Sequence, residues 1–476
     1  MIKIPKRLSR FCGIVVLGVA AYQMPVAYAQ NQAFTMLASD HSLDMDAMEY
    51  SKTYKVSFVE ALRNLIIQLS SDDVVAHLQN KYKTRLAGMY AEHKPYYHLV
   101  VRLKGNARVL DTSFPIRNKT AVPFSEILDL PVEFQSGADY TLAELEKIRD
   151  AHLKEFAAIP GIQGTGIDER SGEVVLDIVE PKKTATANSS RFASPAPSFI
   201  NLPIKINKLR SKLVNAAASV RASEIMSMRI SPLLTSQLGG CTSGFNIKDK
   251  ATGRLSYATT AAHCYDYNIT LNDRKTVGDD KLGLIYVKEF HNASQDFQVM
   301  SVKPPLLQTI LLPQFFAADN VAKPLTGRRT RASTVVGNTV CHYGKTTGYS
   351  CGTVKDKAYM PGLVGSILFK SCGPDGKTGK PAKPVVCSKT WVKVAGPKLD
   401  CFQGDSGGPV FIGNIAVGLL SKVSKNNSTW SSIIHKGKGW CGGNDGGTLP
   451  ITGDDPGFLT YMSTDELYNA GYQLKY

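Results

Sequence analysis

Apolar and polar positions follow two different patterns along this 476-residue chain. In the last half the apolar runs are short and separated by Gly, Asn and Asp, the signature of antiparallel strands joined by turns. Residues 255–260 read as one such strand and Val410-Phe411-Ile412 as part of another. Gln295-Asp296-Phe297-Gln298-Val299-Met300-Ser301-Val302 alternates apolar with polar, which predicts a half-buried strand with an acid at its mouth. Upstream the pattern mixes helical and strand periods. Ser57-Phe58-Val59-Glu60 has capping-box spacing and opens an apolar helix to Leu69, and Thr141-Leu142-Ala143-Glu144 opens a second to Phe156. Residues 97–103 read as a strand, and so do residues 173–179, which follow a polar turn at 168–172. Residues 30–180 are thus expected to be α+β, and residues 238–476 all-β with a C-terminal helix around 464–468.

The stretches between these units carry their own signals. Residues 181–197 are rich in Lys, Thr, Ala, Ser and Pro and read as an exposed, cleavable linker. Residues 208–226 read as a basic helix, and 201–237 belong either to a late part of the first unit or to the start of the second. The apolar run 306–312 reads as a connection. At the N-terminus, Lys3, Lys6, Arg7 and Arg10 precede an apolar stretch at 11–21 and then Val26-Ala27-Tyr28-Ala29. Basic residues, a short apolar core and small residues before a cut after Ala29 predict a signal peptide over 1–29. Its core is too short to span a bilayer. The product is expected to be exported, extracellular or periplasmic, and soluble.

Two motifs carry chemistry. Cys401-Phe402-Gln403-Gly404-Asp405-Ser406-Gly407-Gly408-Pro409 is a GDSGGP turn, and Thr259-Thr260-Ala261-Ala262-His263-Cys264 ends a strand on a histidine. A serine hydroxyl attacks an amide at neutral pH only when an imidazole takes its proton and donors receive the oxyanion. The glycines at 404, 407 and 408 permit backbone angles that let the amides of Gly404 and Ser406 converge on one point. A histidine beside a cysteine is as often a core residue or metal ligand as a base. Here no second His or Cys lies at metal-ligand spacing, so neither metal nor organic cofactor is expected. Of the acids able to orient the imidazole, Asp296 leads because a buried carboxylate needs a partner, with Asp279 and Asp280 next.

Taken together these residues resemble the chymotrypsin clan of serine endopeptidases, with the order His, Asp, Ser. Within that clan the chain is similar to the secreted bacterial branch of alpha-lytic protease and the streptogrisins. Val340-Cys341-His342-Tyr343-Gly344-Lys345-Thr346-Thr347-Gly348-Tyr349-Ser350-Cys351-Gly352-Thr353 resembles that branch's Cys-Arg-Ser-Gly-Arg-Thr-Thr-Gly hairpin. The resemblance implies two antiparallel β-barrels over 238–476, with His263 and Asp296 from the first and Ser406 from the second. It implies peptide hydrolysis through an acyl-enzyme, with an oxyanion hole at Gly404 and Ser406. It also implies that 30–180 is a pro-region, an intramolecular inhibitor or folding aid, rather than an independent binding domain.

Nine cysteines include Cys12 in the leader, and the other eight lie in the last half. Eight cysteines allow about 105 pairings. The resemblance selects Cys241–Cys264, Cys341–Cys351 and Cys401–Cys441, which leaves Cys372 to Cys387, each bridge worth about 2–4 kcal/mol. The formal charge of +16 comes without a nucleic-acid motif and reads as a Lys-rich solvated surface. Asp400, Ser421 and Gly457 are the expected substrate contacts, and Asp400 is the acid that would favour cleavage after Lys or Arg. An apolar preference is the alternative, since Lys422 would offset Asp400. Where the branch has an Arg after the hairpin Cys, this chain has His342, expected either in protonated form to pair with Asp405 and to make activity fall at alkaline pH, or as a neutral ring hydrogen-bonded in the hairpin. A new amine at Ile230 is the alternative partner. Other readings of the whole are a catalytically idle peptide-binding protein and an esterase.

Overall fold

The computed structural model describes residues 35–179, 201–209, 213–215, 229–232, 241–253, 256–264, 269–272, 282–303, 311–318, 321–362, 372–373, 383, 385–402, 404–424, 441 and 457–476. The expected signal peptide, the 181–197 linker, and Asp279 and Asp280 lie outside these residues.

The N-terminal region starts with helices α1 (Asp44–Tyr54), α2 (Phe58–Ser70) and α3 (Asp72–Lys81). The Ser57 hydroxyl accepts the Glu60 amide at 3.1 Å, so α2 begins where the apolar period predicts. Its inward side carries Ala61, Leu65, Ile66 and Ile67, all fully buried. These helices pack on a four-stranded sheet of β1 (Leu86–Glu92), β2 (His98–Lys104), β3 (Thr112–Arg117) and β4 (Ile127–Ala138), in the order β1-β2-β4-β3. The Thr141 capping box forms with both bonds, but the helix it opens divides at His152 into α4 (Leu142–Ala151) and α5 (Leu153–Ala157). Two antiparallel strands follow, β5 (Ile162–Asp168) and β6 (Glu173–Val179).

The basic helix expected from Lys208 onward does not form over the described residues. Instead, β7 (Ile204–Leu209) runs parallel to β6, and β8 (Leu213–Asn215) is a short strand. Ile204-Lys205-Ile206-Asn207 alternates with period two, and that alternation outweighs the helical propensity of the lysines.

Among the described residues the second unit contributes strands to three sheets. The first includes β9 (Ser256–Thr260), β10 (Leu282–His291) and β11 (Asp296–Lys303), with β11 paired to both of the others. A separate three-stranded sheet contains β12 (Val321–Pro324), paired with Thr35–Met36 and Gln314–Ala318. The second sheet comprises β13 (Thr339–Gly344), β14 (Gly348–Pro361), β15 (Trp391–Ala395), β16 (Pro409–Ile412), β17 (Ile415–Ser424) and β18 (Phe458–Ser463). These six close into an antiparallel barrel in the order β13-β16-β17-β18-β15-β14, because β13 also pairs with β14. Closure removes the unpaired edges that an open sheet would expose. Beyond Thr464 the expected short helix, α6 (Asp465–Asn469), forms, and a strand at Tyr472–Leu474 follows it and pairs with Ile247–Asp249.

The boundary between the two units is not a gap. Strand β5 pairs with β14 through Met360 and Thr165, so β5, β6 and β7 continue the barrel's sheet outward. A single buried cluster runs from Leu43, Tyr50 and Leu65 of the helices to Val340, Val394, Val410 and Leu420 of the barrel. Four cysteine pairs stand at bonding distance: 241 with 264, 341 with 351, 372 with 387 and 401 with 441. Among the described residues no helix is long and apolar enough to cross a membrane.

Candidate active site

Strand β9 ends at Thr260, and the next two residues, both buried alanines, turn the chain so that His263 faces the barrel. The turn is fixed by its neighbours. Cys264 is bridged to Cys241, and the Thr260 hydroxyl donates to the Thr242 carbonyl at 2.7 Å. His263 Nδ1 lies 2.7 Å from Asp296 Oδ2, and the His263 amide donates to Asp296 Oδ1 at 3.1 Å. Two bonds to one carboxylate set both the backbone and the ring of the histidine. On the other side His263 Nε2 lies 2.7 Å from Ser406 Oγ. With Nδ1–H donating to the carboxylate, Nε2 is left as the acceptor for the serine proton.

Asp296, at the first residue of β11, is buried along with its partners. Burial pushes its carboxyl up, but His263, by charge and hydrogen bond, together with the charges of His291 and Lys422, holds it well below the usual carboxylate range. His291 pairs with Asp296 across the β10–β11 hairpin, its Nε2 3.9 Å from Oδ1. Ser421 on β17 donates its hydroxyl to Asp296 Oδ2 at 2.5 Å. The hydroxyl of Ser421, a residue expected at the substrate, is thus directed to the acid.

The nucleophile loop owes its shape to glycine. Gly404 and Gly407 have φ of +108° and +80°, a region that favours glycine. A Cβ on Gly407 would also collide with the Thr260 hydroxyl and the Ala261 amide, so the loop packs directly on the histidine's strand. Thr242 ties the two together: its amide donates to the Ser406 carbonyl at 2.8 Å and its hydroxyl to the Gly404 carbonyl at 2.7 Å. Within 404–408 the amides of Asp405, Gly407 and Gly408 are taken by the carbonyls of Phe402, Leu420 and Asp405. The amides of Gly404 and Ser406 are the two within this stretch that have no acceptor among the described residues. These are the two expected to receive an oxyanion.

Asp405 is fully buried and takes four donors. Oδ1 accepts the amides of Thr346 and Thr347 at 2.9 and 3.2 Å, and Oδ2 accepts the Thr347 hydroxyl at 2.7 Å and the Phe402 amide at 2.8 Å. Burial outweighs His342 and these donors and pushes the Asp405 carboxyl up. The expected direct pair with a protonated His342 is not what holds the loop. His342 Nε2 donates to the Asp400 carbonyl at 2.5 Å, with Ser350 Oγ at 2.9 Å, and burial holds the ring below its usual range. Burial favours the neutral ring, and a neutral ring can still donate Nε2–H to the Asp400 carbonyl, so these bonds do not depend on a protonated His342. The Thr346-Thr347 pair, quoted only as part of the hairpin likeness, is the support that sequence reasoning missed.

Asp400 lies on the same strap: its carbonyl receives His342 and Ser350, and its amide donates to Ser350 Oγ at 2.9 Å. Gly457, with φ of +79°, turns the chain into β18. Ser406 has no exposed surface, and His263 and Asp296 are 2% exposed each. Among the described residues no group of three His, Cys, Asp or Glu side chains is arranged to hold a metal ion.

The trypsin family model matches residues 243–447, so this chain carries a trypsin-family domain. By class it is a serine endopeptidase. Among solved structures it is similar to a Nocardiopsis protease at 18% identity, over 50% of this chain and 94% of that one, with a TM-score of 0.32. Thermobifida fusca protease A matches at 17% identity over 50% and 91%, TM-score 0.30. Cellulomonas bogoriensis chymotrypsin matches at 18% over 49% and 90%, TM-score 0.28. No curated protein sequence matches the chain.

Proposed function

We propose that Ser406 is the nucleophile of an exported peptidase made as a zymogen, with His263 as general base and Asp296 as the orienting acid. The observation that carries this reading is the continuous chain of bonds from Ser421 through Asp296 and His263 to Ser406. It ends beside two amides with no other acceptor. His263 Nε2 takes the Ser406 proton as Oγ attacks the peptide carbonyl. The amides of Gly404 and Ser406 receive the oxyanion, and His263 passes its proton to the leaving amine. Water then repeats the sequence on the acyl-enzyme and frees Ser406. Asp296 stays ionised throughout. Peptide cleavage and labelling by a fluorophosphonate test the assignment together: Ser406→Ala abolishes both, and wild-type turnover in that variant would refute it.

Two finer readings belong to the same proposal. The zymogen reading is supported by the burial of Ser406 and by β8, which pairs with β17 at Lys422, Val423 and Ser424, next to Ser421. An extended segment added to that edge occupies the place a peptide would take by strand addition. Cleavage after Lys or Arg rests on Asp400 at the base of the nucleophile loop. Matched chromogenic peptides ending in Arg or Leu measure it, and equal or faster cleavage of the Leu peptide would remove the basic preference.

A further inference from the structure

Asp296 belongs to the hairpin of β10 and β11, but the barrel holds it in place. The turn before it, residues 292–295, fixes its own shape: Asn292 Oδ1 accepts the amides of Ser294 and Gln295 at 3.1 Å each, and the Asn292 amide donates to the Gln295 carbonyl at 2.9 Å. None of these bonds sets how far the turn stands from the barrel. Three neighbouring strands of the barrel, β15, β18 and β17, do that with one side chain each. From β15 the Trp391 indole N–H donates to the Ala293 carbonyl at 3.0 Å. From β18 Met462 Sδ accepts the Asp296 amide at 3.3 Å. From β17 the Ser421 hydroxyl reaches Asp296 Oδ2. Trp391 and Met462 are direct cross-strand partners, and each is 1% exposed.

Further bonds tighten the same grip. The Ser388 amide and hydroxyl both donate to the Ala293 carbonyl, at 2.9 and 3.2 Å, and Ser388 directly follows Cys387, which is bridged to Cys372. Gln295 Nε2 donates to the Glu466 carbonyl of α6 at 3.1 Å. A main-chain carbonyl has two lone pairs, so the three donors on Ala293 exceed what its solvation needs and act as a restraint.

We infer that Trp391 and Met462 are positioning residues: through the Ala293 carbonyl and the Asp296 amide they set where the carboxylate meets His263. The inference rests on the proposed role of Asp296 as the orienting acid. The side-chain bonds of His263 and Ser406 run to each other and to Asp296, not to Trp391 or Met462, and neither of these carries charge. The charges that bear on Asp296 come from His263, from His291 of β10 and from Lys422 of β17. On the gripping elements, Lys389 is paired with Glu146 and Asp150, and the Glu466 carboxylate accepts Asn469. Replacing Trp391 or Met462 leaves all of these in place, so a change at His263 reports displacement of the acid. A carboxylate farther from the ring stabilises the imidazolium less. The acid limb of kcat/KM, which reports protonation of the general base, then moves to lower pH while kcat falls.

Two readouts on the full chain test this. The first is cleavage of a chromogenic peptide by the secreted protein, with turnover counted per fluorophosphonate-labelled site, so that molecules whose site is covered by β8 do not enter. Trp391→Phe keeps an aromatic ring and removes the N–H; it should lower kcat about tenfold with KM within about twofold, and move the acid limb down by about half a pH unit. Met462→Leu, close in volume, should lower kcat about threefold with a smaller shift of the same sign, and it carries the test if Trp391→Phe fails to fold. Val394→Ala, on β15 as well, opens a cavity in the core but removes no bond to 292–296; it should lower the melting temperature and leave kcat and the limb unchanged. The second readout needs no turnover. In Ser406→Ala protein the proton NMR line of His263 Nδ1–H, displaced downfield by its short bond to Asp296, should move upfield with Trp391→Phe or Met462→Leu and stay in place with Val394→Ala. An unmoved line or an unmoved limb in both variants overturns the inference, as does equal movement in Val394→Ala. If Asp296→Asn is crippled while the two variants are unmoved, only the inference falls. A moved line beside a wild type that cleaves no peptide would refute the peptidase reading and leave the positioning standing.

Discussion

Two buried carboxylates, Asp296 and Asp405, hold the two halves of the site, and they do it by different means. Asp296 sits among charges and side-chain donors: His263, His291, Lys422 and the Ser421 hydroxyl. Asp405 sits among main-chain amides and one hydroxyl, all from the hairpin 346–347 and from Phe402. The first is held low and the second is pushed up. Burial disfavours both anions, and what decides the outcome is whether cations stand close enough to offset it. The difference separates two tasks. Asp296 must remain charged while His263 gains a proton. Asp405 shapes a loop, and amides suffice for that.

The comparison breaks most readily at Asp296. Asn in its place presents an NH2 group to His263 Nδ1, which favours the tautomer with its proton on Nε2, facing Ser406 as a donor. Turnover should fall by roughly four orders of magnitude with little change in KM. A loss below tenfold would mean that the acid does not set the tautomer.

Ser421 sharpens the same side. Its hydroxyl gives Asp296 one of several donors, so Ser421→Ala should lower kcat by about tenfold, equivalent to about 1.4 kcal/mol, with KM unchanged. An effect on KM alone would return Ser421 to the substrate-contact role first expected of it.

How far the chain disclosed this site depends on whether the information is local. The turn around Ser406 needs φ values that only its glycines adopt readily, and the alternation of 295–302 places Asp296 at a strand end, so both are visible residue by residue. The cap at Thr141 and the strand 173–179 are legible for the same reason. What faces Asp296 across space is another matter. Nothing in Leu420-Ser421-Lys422 indicates that Ser421 turns toward an acid 125 positions upstream, because β17 and β11 belong to different sheets. Likewise the composition of 181–197 reads as a linker closing the first unit, and nothing local indicates that β5 pairs with β14 nearly 200 residues later. For His342 the hairpin motif leaves a protonated ring paired with Asp405 and a neutral ring bonded in the hairpin equally open. Burial decides for the neutral ring against the opposing pull of Asp405 and the Asp400 carbonyl, and a hairpin motif does not reveal burial.

The subtlest difference between the two carboxylates is the sign of their dependence on pH. Asp296 has its folded pKa held below the unfolded value, so its contribution to stability is present above the usual carboxylate range and is lost as pH falls through the folded pKa. Asp405 has its folded pKa raised, so its contribution is complete below the unfolded value and declines as pH rises through the folded one. The melting temperatures of Asp296→Asn and Asp405→Asn, each subtracted from that of the parent, should therefore run in opposite directions. The Asp296→Asn deficit grows from acid pH to about pH 4 and then levels off. The Asp405→Asn deficit is greatest in acid and shrinks above about pH 4, each change being on the order of a few degrees. Measuring both in a Ser406→Ala background prevents self-digestion from distorting the curves. Parallel slopes would show that the charges around Asp296 and the amides around Asp405 do the same electrostatic work, and the distinction between the two halves of the site would fall.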